Sequence, residues 1–283
     1  MSGKGKLAEL ISLFLKGIGI GAANTVPGVS GGTIAAITGI YDRLIHAIST
    51  FLSDWKGNLL VLLPILLGVL TGIATFASVV DYFLATYPQA TAFFFIGLIL
   101  GSVPFLLRQL SGHPFHLPQG IAFTIAAAVV IIMGVSGRPP ITAPITALTL
   151  ATGVSVFFAG VISAATMIIP GVSGSFVLLL IGMYSTFISA VRTGNLPLLA
   201  VLAVGSVVGI VAVSRLLDVL FRRFFATTYW AIVGLVAGSV AGIWPGFASA
   251  EPLWLSPAGL ALGLALALSL GSRKGEKQRE QQM

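Results

Sequence analysis

The stretch Asn24-Thr25-Val26-Pro27-Gly28-Val29-Ser30-Gly31-Gly32-Thr33 returns later in the chain as Met167-Ile168-Ile169-Pro170-Gly171-Val172-Ser173-Gly174-Ser175-Phe176. Residues 24–48 align without gaps on 167–191, and nine of those 25 positions are identical. With a slightly shorter offset the likeness continues: Gly68 and Gly72 meet Gly205 and Gly209, and Asp81 meets Asp218. Gly97-Leu98 and Gly101-Ser102-Val103 then meet Gly234-Leu235 and Gly238-Ser239-Val240. A bias towards glycine in apolar helices explains single matches, but not an ordered series. The expected organisation is a duplication, with a first repeat over 1–140, a second over 141–271 and a basic tail over 272–283.

Composition sets the class. Only 8% of the 283 residues are charged, against about 25% in a soluble domain, and mean hydropathy is +1.04. Residues 57–80, 82–107, 109–137, 139–191 and 224–250 carry no Asp, Glu, Lys or Arg. A spanning helix needs about 20 apolar residues, so the chain reads as a polytopic membrane protein. Continuously apolar runs such as 59–70 argue for helices over the alternating pattern of a membrane barrel. Soluble enzymes, nucleic-acid binders and disordered chains are excluded. The basic residues are too few and too dispersed for a nucleic-acid footprint. No cysteine is present, so disulfides and thiolate metal sites do not arise, and nothing calls for a cofactor.

Each half carries five apolar segments. These are 7–23, 33–52, 59–83, 92–107 and 121–135, then 146–166, 175–191, 196–217, 228–244 and 257–270. Only the Pro-Gly-Val-Ser-Gly turn joins the first two of each half, and Pro and Gly there break the helix. Irregular backbone at membrane depth is tolerated only inside protein or beside a water-filled cavity. Each pair therefore reads as a re-entrant helical hairpin followed by about three transmembrane helices, with five full spans per half as the alternative. Both counts are odd, which makes the repeats inverted. With the N-terminus inside, thirteen basic residues are cytoplasmic and only Arg138 and Arg192 lie outside, a strong positive-inside asymmetry. Both termini are expected in the cytoplasm. Lys16 interrupts the apolar run that a cleaved signal would need.

Inverted repeats with broken helices mark secondary transporters whose site lies at the midplane where the repeats meet. Here 24–33 and 166–175 would come together there. Glycines allow close backbone approach, and the helices starting after Ser30 and Ser173 present N–H groups and a positive dipole end. Ser30, Thr33, Ser173 and Ser175 add hydroxyls. The combination is an anion cradle suited to phosphate. A purely structural alternative makes Ser30 and Ser173 ordinary N-caps.

The first motif, continued by Thr38-Gly39-Ile40-Tyr41-Asp42-Arg43-Leu44, resembles the polyprenyl-phosphate transporter family, PopT. The second motif, followed by Gly182-Met183-Tyr184, looks like that family's second signature. The resemblance covers nearly the whole chain. It implies a flippase, not an enzyme, that returns undecaprenyl phosphate from the outer to the cytoplasmic leaflet of a bacterial plasma membrane for cell-wall synthesis. The expected phosphate-binding residues are Asn24, Thr25, Pro27, Gly28, Ser30, Gly31, Gly32, Thr33, Tyr41, Arg43, Pro170, Gly171, Ser173, Gly174, Ser175 and Tyr184. Ser185 departs from the pattern, because an acid matching Asp42 is expected there.

The alternative is a membrane undecaprenyl-pyrophosphate phosphatase, which also uses inverted repeats and a Pro-Gly-x-Ser-Arg-Ser turn. Gly174 stands where that Arg belongs. No Glu lies in or beside a turn, and His46, His113 and His116 fall in expected loops. Phosphoryl transfer needs cations and a means to activate a nucleophile. Asp81 and Asp218 are candidate proton or cation sites, although Asp218 is also spaced to pair with Arg215. Arg43 and Arg108 serve equally as topology anchors. Single cysteines placed at the N-terminus and just after Leu270 should react with a membrane-impermeant maleimide only from the cytoplasmic face. Labelling of either site in intact cells would refute the topology.

Overall fold

The computed structural model describes residues 3–24, 30–135, 143–246 and 251–280, with the backbone alone at 3–5, 81 and 270–280. Among these residues the chain is all helical, without strands. Its helices are α1 (Gly3–Asn24), α2 (Gly31–Ile37), α3 (Tyr41–Ser49), α4 (Trp55–Thr86), α5 (Pro88–Arg108) and α6 (Leu117–Val135). Then come α7 (Leu150–Ile168), α8 (Gly174–Leu180), α9 (Tyr184–Thr193), α10 (Leu196–Ile243) and α11 (Leu255–Glu280). Six are long and apolar enough to cross a membrane, or seven if the bent pair α8–α9 counts as one span. At 48 residues, α10 is far longer than a bilayer core requires. It breaks at Phe224 (φ −136°, ψ 46°) and so contains both of the expected segments 196–217 and 228–244.

One feature of the sequence expectation is corrected. The segments 33–52 and 175–191 are not continuous helices; each is two short ones. Both breaks have the same cause. Gly39 (φ 64°) and Gly182 (φ 72°) adopt the left-handed conformation that closes a helix in a Schellman motif. Around Gly39, its N–H donates to Ala36 O and the Ile40 N–H to Ala35 O. Around Gly182, the N–H donates to Leu179 O and the Met183 N–H to Leu178 O. The second pair turns by 111°. His46, expected in a loop, therefore lies in α3.

Long helices pack at close range through paired small residues. α1 lies on α4, α7 on α10, α5 on α11 and α6 on α10. A Cβ at Gly68 or Gly72 would overlap the Phe14 or Ile18 carbonyl of α1, and one at Gly205 or Gly209 the Phe157 or Val161 carbonyl of α7. Gly97 likewise meets Leu260 of α11, and Gly234 meets Phe123 of α6. The glycines that match between the two halves of the sequence are thus the small-residue faces through which helices approach in a membrane. Between these pairs sits the main core, where Ala35, Ile45, Ile65, Leu106 and Val236 join α2 and α3 to α4, α5 and α10.

Gly72→Ala drives a methyl into a backbone carbonyl, so stability should fall by about 1–3 kcal/mol. Gly242→Ala meets only the Gly134 Cα at 3.7 Å and should change little. Thermal unfolding of the two variants in detergent tests this. Equal stability would mean that the close helix contacts are not tight.

Candidate functional site

The two motifs touch. α7 ends at Ile168, which leaves its last carbonyls without partners inside the helix. Side chains of the first motif supply them: the Tyr41 hydroxyl donates to Ile168 O (3.1 Å) and the Ser30 hydroxyl to Ile169 O (3.2 Å). In the opposite sense, the Gly171 N–H donates to Thr33 Oγ1 (2.9 Å). Ser30, Thr33 and Tyr41 are all buried. Gly31 and Gly32 are buried beside them, and a Cβ at Gly32 would run into Ile168 O. Asn24, at the end of α1, accepts from the Gly31 N–H (3.0 Å).

The second copy is differently arranged. Pro170 and Gly171 are buried, and Gly171 has a φ of +82°. Gly174 is buried against Ser163, whose hydroxyl donates to Gly174 O (3.0 Å). Ser173 and Ser175 are hydrogen-bonded to each other (3.0 Å), with Ser173 partly and Ser175 largely exposed. Ser30 and Ser173 both hold the N-cap position, yet neither side chain caps its helix. The N-cap explanation of these serines therefore fails at both sites. Moreover α2 and α8 have seven residues each, so any dipole contribution comes from short helices; N–H groups and hydroxyls carry what polarity there is.

Two cavities flank this contact. One, of about 40 Å³, lies between α6, α8 and α10, against Gly171 and Ser173 on one side and Met133, Phe176 and Ser239 on the other. The other, of about 150 Å³, is lined by Tyr41, Asp42, Gln109 and Tyr229 with Gly39 and Phe105. There the Tyr229 hydroxyl donates to Asp42 Oδ2 (2.7 Å). Among the described residues, neither lining includes Lys or Arg.

The remaining expected residues fall elsewhere. Thr25, Pro27 and Gly28 lie outside the described residues, as does Arg138. Arg43 pairs with Glu9 of α1 (2.6 Å) and lines neither cavity. Tyr184 is 39% exposed, whereas its counterpart Tyr41 is 3% exposed. Asp218 pairs with Arg222 (3.1 Å) and His46 (3.2 Å), not with Arg215. Arg215 instead reaches Ser49 O. The side chain of Asp81 is outside the description. Tyr229 and Gln109 are the polar residues that sequence reasoning missed. Neither belongs to a motif, and position 229 matches an apolar residue in the first half, so no local signal marks them.

No solved structure matches the chain. Among curated proteins, a polyprenyl-phosphate transporter of Vibrio cholerae serotype O1 is 38% identical over 255 residues, covering 85% of this chain and 80% of that protein. A polyprenyl-phosphate transporter of Staphylococcus aureus is 32% identical over 260 residues, covering 85% and 88%. Residues 20–256 match the VCA0040-like family, described as undecaprenyl phosphate translocase-like. That span contains both motifs, the contact between them and both cavities, and the chain belongs to this undecaprenyl phosphate translocase-like family.

Proposed function

We propose that the protein is a flippase that carries undecaprenyl or a similar polyprenyl phosphate from the outer to the cytoplasmic leaflet of the bacterial plasma membrane, recycling the lipid for cell-envelope synthesis. The observation that carries this reading is the face-to-face contact of the two broken-helix turns, Ser30–Thr33 on Ile168–Gly171, with a cavity on each side. Alternating access requires such a barrier: the site opens to one side or the other, never to both.

The proposal treats 1–140 and 141–271 as inverted repeats. Equivalent helices make equivalent pairs, α1 on α4 and α7 on α10, then α5 on α11 and α10 on α6, which is the pattern a duplicated unit gives. An odd number of crossings per repeat and the distribution of basic residues support both termini in the cytoplasm. In that orientation the cavity at Ser173 opens outward and the cavity at Asp42 opens inward. The outer cavity has room for only a few waters, so this is a closed arrangement, and the turns must separate to admit a phosphate.

The phosphate is held by Ser173, Ser175 and the backbone at Gly171 and Gly174 when the second turn opens. Ser30, Gly31, Gly32 and Thr33 take their share once they release Ile169 and Gly171. The isoprenoid chain stays in lipid, next to the apolar walls given by Met133 and Phe176. These groups bind an anion, and the Ser173 and Ser175 hydroxyls bond to each other rather than to a base that would activate them, so the reading is a carrier that leaves the phosphate intact.

Ser173→Ala combined with Ser175→Ala removes two donors to the phosphate, and each is worth about 1.5–3 kcal/mol to a charged group. Leaflet transfer of undecaprenyl phosphate in proteoliposomes should drop at least tenfold, while Ser173→Leu should abolish it without preventing membrane insertion. Transfer at the wild-type rate by the double variant would refute this site. Release of inorganic phosphate from undecaprenyl pyrophosphate by the purified protein would refute the assignment as a carrier.

A further inference from the structure

Two breaks in the long helices share one geometry. α4 gives way to α5 at Tyr87 (φ −135°, ψ 60°), and α10 breaks at Phe224 (φ −136°, ψ 46°). Phe224 is the position that matches Tyr87 at the offset joining Asp81 to Asp218. Four residues past each break stands a buried threonine. The Thr91 hydroxyl reaches Tyr87 O (2.6 Å) and Phe83 O (3.2 Å). The Thr228 hydroxyl reaches the same two places, Phe224 O (2.9 Å) and Leu220 O (3.2 Å). A threonine bond to the carbonyl four residues back is ordinary in a helix. One to the carbonyl eight back is not, because a straight helix sets those residues about 12 Å apart. The chain therefore folds back at Tyr87 and at Phe224, and each hydroxyl spans the corner. Opening a corner gives up the bond across it and keeps the one within the helix, so the buried hydroxyl stays satisfied. Phe83 O stays satisfied too, since it accepts the Tyr87 N–H (2.7 Å).

The corners join helix pairs that are packed more tightly within than between. α4 lies on α1 and α5 on α11, while α4 and α5 touch only sparsely. α5 is also fastened to the segment leading into α11, because Glu251 accepts the N–H groups of Gln89 (2.7 Å) and Ala90 (3.0 Å). In the second half, α10 before the corner packs on α7 and after it on α6, each time through glycines set against a facing carbonyl. Close-packed pairs of this kind move as units about the few residues that join them. α3 is tied to both sides of the second corner. His46 meets Asp218 (3.2 Å) and Arg222 (3.3 Å) before it, and Asp42 accepts from Tyr229 (2.7 Å) after it. Next to Asp42 in the chain, Tyr41 holds the end of α7. A change of angle at Phe224 therefore reaches the contact between the two turns.

We propose that the corners at 83–91 and 220–228 are paired hinges about which the packed helix pairs swing to part the turns. This rests on the flippase reading above. Thr91 and Thr228 are positioning residues: each hydroxyl favours the closed corner through its bond to the carbonyl eight residues back. In the orientation given above, the corner at Tyr87 lies towards the outer face and the corner at Phe224 towards the cytoplasm. Each face thus has its own hinge, as opening to one side at a time requires.

Introduced cysteine pairs test this, since the chain has no cysteine of its own. Spin labels at Ile125 of α6 and Phe158 of α7, both exposed, report across the second corner, and labels at Phe158 and Val204 report within one packed pair. Double electron–electron resonance of the full chain in nanodiscs should give two distances across the corner, in proportions that undecaprenyl phosphate changes. Within the pair it should give one distance that the lipid leaves alone. Thr228→Val should lower the share of the closed distance relative to the other at least about twofold, the lower end of what one hydrogen bond contributes. Thr228→Ser keeps the hydroxyl and should restore the original proportions. Gel filtration establishes that each variant is folded. If Thr228→Val is not, Thr91→Val decides the matter, with labels at Leu70 of α4 and Leu262 of α11. One distance across the corner that the lipid does not change, in protein that flips it, overturns the hinges and leaves the flippase assignment standing. So do unchanged proportions in the valine variant, or a distance within the pair that moves as much as the one across the corner. Absence of leaflet transfer by the unlabelled wild type in proteoliposomes overturns both.

Discussion

A helix that stops inside a bilayer leaves carbonyls and N–H groups that no lipid can satisfy. In this protein two broken-helix turns are paired with each other. The end of α7 gives its carbonyls at Ile168 and Ile169 to Tyr41 and Ser30, and the Gly171 N–H goes to Thr33. All three bonds join side chains of the first motif to backbone atoms of the second, so the second turn depends on the first for these hydrogen bonds. In the proposed cycle the same bonds form the barrier, and they are exchanged for bonds to a phosphate. Structural necessity and a transport path thus converge on one set of atoms.

The two copies share a sequence pattern but hold different positions. In the first, the hydroxyls of Ser30 and Thr33 are buried and committed across the contact. In the second, Ser173 and Ser175 bond to each other and face a cavity. The second motif has Phe176 where the first has Thr33, and Ser185 where the first has Asp42. The first half supplies the hydroxyls committed across the contact, and the second half the hydroxyls that face a cavity.

Much of the fold was legible in the residues. Charge-free stretches located the long helices, and the matching glycines pointed to a repeated unit before their role in helix contacts was visible. The meeting of the two turns followed from broken helices placed symmetrically. What escaped was local or long-range. Gly39 and Gly182 were read as repeated positions and not as left-handed helix ends, since a single glycine in an apolar run does not declare its φ. Tyr229 sits on a helix far from Asp42 in sequence, and only tertiary packing brings them together. The commitment of Ser30 and Thr33 to protein partners was hidden for the same reason: a hydroxyl in a motif shows capacity for a hydrogen bond but not its recipient. Arg215 and Arg222 are both within helical reach of Asp218, and only the packing, which takes Arg215 to Ser49 O, decides between them.

In the proposed cycle the two turns part for the phosphate to cross. The chain has no cysteine, so a pair introduced at Ser30 and Ile169 would be the sole thiols. Oxidation in proteoliposomes should join the turns and stop leaflet transfer of undecaprenyl phosphate, and a reductant should restore it. Transfer by the fully cross-linked protein at the rate of its reduced form would contradict the account.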